Sequence, residues 1–194
     1  NFQYKDKSIR LSYYKNSNPV YGDFMYDNSQ NILTFSQKNF DKESGFMIDF
    51  TIPFTYKFWT VNNSLSFILN KIEDKLAIQN TTKPYLYYYT NHVFKLPKDY
   101  TVSTTVWGLT TQYEGVYERR QPEFIMDLAI SKTFFKKWDC TFGFNDVFKN
   151  FVYKENFTIN KISSKSNYLS DTHEISFGIR YSFGKIKNSE FNEK

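Results

Sequence analysis

The chain has 194 residues and a net charge of +5, with 40% hydrophobic and 21% aromatic residues and a mean hydropathy of −0.59. That is the length of one domain. The single Cys excludes a disulfide-stapled scaffold, and no run approaches the ~18 apolar residues of a membrane-spanning helix. The 25 Lys and Arg lie scattered among 20 Asp and Glu, with no basic run longer than Arg119-Arg120 or Lys136-Lys137, which argues against a nucleic-acid partner.

The first residues, Asn1 to Lys7, hold no apolar core and no initiator Met. The chain therefore reads as a mature piece or a fragment whose targeting segment lies upstream. It has 21 Phe, 16 Tyr and 3 Trp but only two Ala, Ala77 and Ala129. Ala is the best helix former and aromatics favour pleated surfaces, so an all-β fold is expected. That many rings also exceed what a soluble core of this size needs.

Period two runs through the chain and predicts about eight strands. In the first, 6–16, Ile9, Leu11 and Tyr13 oppose Ser8, Arg10 and Ser12. The second, 31–54, sets Phe46, Ile48, Phe50, Ile52 and Phe54 against Asp49 and Thr51, with a bulge or break near Asp41 to Gly45. In 58–72, Trp59, Val61, Leu65, Phe67 and Leu69 oppose Thr60, Asn62, Ser64, Ser66 and Asn70. Strands 84–96 and 99–113 alternate less cleanly, because Tyr and Thr fall on both faces. In 122–135, Phe124, Met126, Leu128, Ile130 and Phe134 share a face opposite Glu123, Asp127, Ser131 and Thr133. Strand 137–147 alternates Trp138, Cys140, Phe142 and Phe144 with Asp139, Thr141, Gly143 and Asn145. The last, 171–184, alternates Ile175, Phe177, Ile179, Tyr181 and Phe183 with small, polar or charged residues.

The connections alternate in length. Three are tight and carry aromatic shoulders, at Phe54 to Phe58, Leu96 to Tyr100 and Phe134 to Trp138. Those between them, about 73–83, 114–121 and 148–170, are longer and polar. Short turns at one end and long loops at the other describe an antiparallel up-and-down transmembrane β-barrel with periplasmic turns and extracellular loops. In lipid an unpaired backbone N–H or C=O costs several kcal/mol, so the sheet must close on itself. Phe54, Trp59, Tyr100, Phe134 and Trp138 then form the interfacial belt. A soluble barrel or sandwich shares the period, but its polar face would be rich in Lys and Glu and its core in Val, Leu and Ala. Here the polar face is Ser, Thr, Asn and Gly and the apolar face is Phe, Trp and Tyr.

Three stretches in order, Met126 to Phe134, Thr141 to Asn150 and Ile175 to Lys185, resemble the C-terminal end of the outer-membrane barrels of TonB-dependent-receptor type. The resemblance extends more loosely through Phe58 to Asn62 and Phe94 to Lys98. It implies that residues 1–184 are the C-terminal portion of a barrel of about 22 strands, with a charged periplasmic tail at 185–194. It also implies partners: outer-membrane lipid, an upstream plug and barrel segment, and TonB. Ile175, Phe177, Ile179, Tyr181 and Phe183 resemble the terminal-strand signal read by the barrel assembly machinery. Eight strands also suffice to close alone, as an adhesin or anchor, and a soluble lipid-binding barrel is the third reading.

No catalytic, metal or cofactor chemistry is expected. His92, His173 and Cys140 have no metal-ligand spacing, and there is no Gly-rich phosphate loop or Ser nucleophile between glycines. Asp127, Asp139 and Glu123 share the polar face with Arg180 and read as a charge network in the lumen. Lys132 falls on the apolar face near a tight turn, where it can snorkel. The aromatic loop residues Tyr113, Tyr117, Phe151, Tyr153, Phe157 and Tyr168 are the candidates for ligand contact, against packing of the loops on one another.

Overall fold

The computed structural model describes residues 2–75, 83–114, 117–120, 123–159 and 162–183, and for Glu114, residues 117–120, Phe157 and Ile159 the backbone alone. All regular structure among them is β. The strands are β1 (Phe2–Tyr4), β2 (Lys7–Ser17), β3 (Val20–Asp27), β4 (Ile32–Asn39), β5 (Lys42–Thr51), β6 (Phe54–Tyr56), β7 (Trp59–Glu73) and β8 (Tyr85–Leu96). They continue with β9 (Tyr100–Leu109), β10 (Gln112–Glu114), β11 (Tyr117–Arg120), β12 (Glu123–Phe134), β13 (Trp138–Asn145), β14 (Val152–Ile159), β15 (Ile162–Leu169) and β16 (Glu174–Tyr181).

One antiparallel sheet forms the wall, in the order β1-β2-β5-β7-β8-β9-β12-β13-β16, with β6 also on β7. Successive wall strands are neighbours, as an up-and-down sheet requires. β6 prolongs β5: Ile52 N–H still donates to Asn63 O at 3.0 Å, and the ladder breaks at Pro53, which has no N–H to give. Eight long strands thus make up the wall, joined at one end by tight turns after Tyr4, Tyr56, Leu96 and Phe134.

The register carries the apolar face from strand to strand. One row runs Ile9, Phe50, Leu65, Tyr88, Gly108, Phe124. A second runs Trp59, Phe94, Val102, Ile130, Phe142, Phe177. The first row begins beside the short turns on β2 and ends at the far end of β12. It climbs about eight residues, ~26 Å, over five interstrand gaps of ~4.8 Å, a lean of about 45°. That matches the tilt of a membrane barrel wall. The described residues contain no compact core: the buried apolar side chains are Phe24, Phe40, Val61, Ile72, Leu109 and Ile125. Phe177 and Ile175, by contrast, are 67% and 68% exposed.

Polar groups on the apolar face satisfy one another. Trp59 Nε1–H donates to His92 Nδ1 at 3.1 Å, which leaves the ring proton on His92 Nε2 to face Thr90 Oγ1 at 3.0 Å. Thr90 donates in turn to Asn63 Oδ1 at 2.6 Å, and Asn63 Nδ2 to Ile52 O at 3.3 Å. Lys132 reaches back to the turn as expected: its Nζ donates to Tyr100 OH at 3.1 Å and lies 4.3 Å from that ring's centre and 4.9 Å from that of Phe134. On the opposite face Arg180 and Thr133 both bind Asp139, and Arg10 and Ser66 both bind Asp49.

Three expectations change. The strand expected over 31–54 is two: β4 belongs to a separate two-stranded hairpin with β3, and the wall strand starts at Lys42. Only the second half of that stretch alternates cleanly, and β4, with apolar and polar residues on both faces, pairs outside the wall. Residues 18–41 are therefore a further long connection at the loop end. The wall strand expected over 99–113 stops at Leu109, and the last one starts at Glu174 rather than 171. The tail 185–194 lies outside the described residues.

Candidate functional site

The long connections gather at one end of the wall and fold on themselves. β3 and β4 pair as a hairpin, and β10, β11, β14 and β15 form a four-stranded sheet. Asp146, just past β13, organises the approach to this sheet. Its side chain is buried and accepts from Asn150 N–H at 2.9 Å, Phe151 N–H at 3.1 Å and Thr172 Oγ1–H at 3.1 Å. Its N–H donates to Asp127 Oδ1 at 2.8 Å, and its carbonyl accepts from His173 Nδ1–H at 2.7 Å. A short carboxylate beside a loop can accept from backbone amides that the loop leaves without a carbonyl partner. Here it fixes Asn145 to Asn150 and ties them to the start of β16.

This places Phe151 edge-on against Trp107, ring centres 5.6 Å apart. Both line an open cavity of about 330 Å³ with Ile125, Asp127, Asn145, Asp171, Thr172 and Glu174. Trp107, Ile125, Asp127 and Asn145 all belong to the polar-face set of their strands, so the cavity lies on the face opposite the apolar rows, the one a closed barrel turns inward. Its walls combine aromatic faces with carboxylates and amides, a surface suited to hydrogen-bonding or cationic groups on an amphipathic ligand.

A second polar cluster lies at the top of β2 and β5. Buried Glu43 accepts from Tyr14 OH at 3.2 Å, Asn16 Nδ2 at 2.8 Å and Tyr21 OH at 2.7 Å. Gly45 lets Tyr14 lie across β5 to reach it, because a Cβ there would collide with the Tyr14 ring. The hairpin is locked beside it by Lys38, which bridges buried Asp23 at 2.9 Å and Asp74 at 3.4 Å. Burial works against the Lys38 charge, but the bonds and fields of Asp23 and Asp74 outweigh it, so its ammonium titrates above the ordinary lysine value. At the hairpin tip Asp27 titrates below the ordinary carboxylate value, because Ser29 Oγ–H, Ser29 N–H and Gln30 N–H donate to it.

The six candidate contact residues separate. Phe151 lines the cavity. Tyr153 and Tyr168 meet at a tilt across β14 and β15 with ring centres 5.9 Å apart, and Tyr168 is exposed. Tyr113 on β10 holds the Lys83 ammonium 4.4 Å above its ring. Tyr117 stands opposite Glu114 and Phe157 opposite Ser164, and their side chains lie outside the described atoms. Sequence reasoning missed Trp107, hidden among the Tyr and Thr of an ambiguous strand, and the organising role of Asp146.

At the short-turn end, Trp59 packs edge-on with Phe54 at 5.1 Å and face to face with Phe94 at 6.0 Å, and Trp138 lies 4.6 Å from Tyr181. Tyr100 and Phe134 flank Lys132. Ile175, Phe177, Ile179 and Tyr181 stand opposite Phe144, Phe142, Cys140 and Trp138 and project from one exposed face, with Phe183 beyond them.

An open-ended, leaning, up-and-down β wall with one apolar face, tight turns at one end and folded loops at the other defines an outer-membrane barrel protein. The chain matches the outer membrane protein beta-barrel family across residues 1–188 and belongs to that family. Its place is the outer membrane. No curated protein and no solved structure matches it.

Proposed function

We propose that this chain is the wall of a larger outer-membrane receptor of TonB-dependent type, which imports a scarce nutrient such as an iron chelate, a saccharide or a peptide. The observation that carries the reading is the pair of open edges. β16 is paired on one side only, and so is β2 beyond Ile9. Each unpaired backbone group in lipid costs several kcal/mol, so both edges must be paired; this sheet leaves them apart, and in the receptor reading further strands meet them. A barrel of about 22 strands leaves room for a plug and a ligand path, whereas about eight strands enclose only their own side chains.

In this reading the long loops face outward, and ligand is met by Phe151 with Trp107 and by Tyr113, Tyr117, Tyr153, Phe157 and Tyr168. TonB and an upstream plug supply the energy coupling. Phe183 and the alternating residues before it address the assembly machinery, and Phe54, Trp59, Tyr100, Phe134 and Trp138 form the belt.

The stand-alone barrel remains the second reading, because the eight wall strands lean at an angle that also closes an eight-stranded cylinder. Detergent extraction separates the two. A heat-modifiable monomer of the 23.2 kDa chain supports the small barrel. Failure to fold without added upstream strands supports the receptor. Loss of nutrient uptake on Phe151→Ala with unchanged surface display assigns the cavity to ligand.

A further inference from the structure

The chain's positive charge is dispersed in sequence, but the topology gathers six lysines at the short-turn end. Each of the four tight turns carries a lysine in the left-handed backbone region: Lys5, Lys57, Lys98 and Lys136, with φ of 55°, 53°, 63° and 59°. Gly, Asn or Asp would hold that conformation with less strain, so placing lysine there costs stability that turn geometry does not repay. Lys7 and Lys137 flank the same turns, where the acids are Asp6 and Asp99. All six lysines are exposed, and among the described residues none forms an ion pair. At the loop end three lysines pair with carboxylates, Lys38 with Asp23 and Asp74, and Lys42 and Lys71 with Glu73, while Lys15, Lys149 and Lys165 are exposed, lie on separate segments of the chain and form no ion pair among the described residues.

The depth of these lysines is set by their neighbours. Phe58, Trp59, Tyr100, Phe134 and Trp138 lie within two residues of the turns, and such rings settle at the headgroup boundary. The turn lysines stand just beyond them, at phosphate level. Lys5 and Lys57 lie over the rings of Tyr4 and Tyr56, 5.6 Å and 5.1 Å from the centres, and Lys132 descends from the apolar face to the same level. Aromatic bodies in the acyl boundary with unpaired ammonium groups beyond them match an anionic lipid headgroup in both shape and charge.

We propose that the short-turn end binds the phosphate groups of anionic lipids in the adjoining leaflet through this crown of lysines. The inference rests on membrane placement and not on what the barrel transports.

The test uses the full-length protein reconstituted in vesicles, with bromine-labelled phosphatidylglycerol or phosphatidylcholine as the quencher of tryptophan fluorescence. Trp59 and Trp138 report from beside the turns. The unmodified protein should prefer phosphatidylglycerol about threefold or more at low salt, and the preference should shrink toward one at high salt. Replacing Lys57, Lys98, Lys132 and Lys136 together by Gln should cut it by half or more, and replacing them by Arg should keep it. Replacing Lys71, Lys154 and Lys165 at the loop end by Gln should leave it unchanged. Equal quenching by both lipids in the unmodified protein overturns the proposal without any variant. So does a preference undiminished by the four Gln substitutions, or one reduced equally by the loop-end substitutions, which would mark a response to net charge.

Discussion

The decisive perturbation is an arginine on the apolar face at mid-height. Phe142 stands opposite Ile130 on one side and Phe177 on the other. It lies four residues above Trp138 at the turn, about 13 Å along the strand and ~9 Å in depth at a 45° lean. In an apolar band about 25 Å tall that is close to the midplane, where an outward arginine costs about 2–4 kcal/mol. Phe142→Arg should therefore lower the folding equilibrium constant by a factor of about 30 to 1000. Phe134→Arg, at the turn end of the same face, should cost about 0–1 kcal/mol, because its guanidinium reaches the headgroups. Thr141→Arg, next to Phe142 but on the polar face opposite Gly178, should cost under ~1 kcal/mol. The assay is denaturant unfolding of the vesicle-embedded protein followed by tryptophan fluorescence. If Arg at 134 and at 142 cost the same, or Arg at 141 costs more than at 142, the apolar rows do not face hydrocarbon.

Other consequences follow from single groups. Asp146→Ala leaves three donors at Asn150, Phe151 and Thr172 without their acceptor; it should cost about 1–3 kcal/mol, raise amide exchange over 146–151 and free Phe151 from Trp107. Lys38→Met strands Asp23, which is 3% exposed, and should loosen the β3–β4 hairpin by about 1–3 kcal/mol, read as faster exchange over 20–39. The same pair predicts alkaline behaviour. Because the folded-state value of Lys38 is raised, its contribution is complete below the ordinary lysine value and is lost as pH climbs through the raised one. Asp27 runs the other way. Its value is depressed, so protection of the Ser29 and Gln30 amides should hold above the ordinary carboxylate range and vanish as pH falls through the depressed value. Trp59→Phe removes the donor to His92 and should cost about 1 kcal/mol in the membrane-embedded protein, with a shift in the His92 ring signals in nuclear magnetic resonance.

The sequence alone determined the pleat, the two faces, the eight wall strands and the contrast of tight turns with long connections, because alternation is written residue by residue in rows such as Ile175, Phe177, Ile179 and Tyr181. It also placed Lys132 near a turn and Asp139 on the same face as Arg180, whose pairing the register then supplied. Tertiary structure decided what depends on partners. β4 carries the composition of a strand, yet it pairs with β3 and not with the wall, since the pleat does not name a neighbour. Trp107 became a cavity wall only when Asp146 folded the following loop so that Phe151 met it. Lysines that are scattered along the chain, Lys5, Lys57, Lys98 and Lys136 among them, came together at the short-turn end, because an up-and-down sheet brings every second connection to the same edge of the membrane.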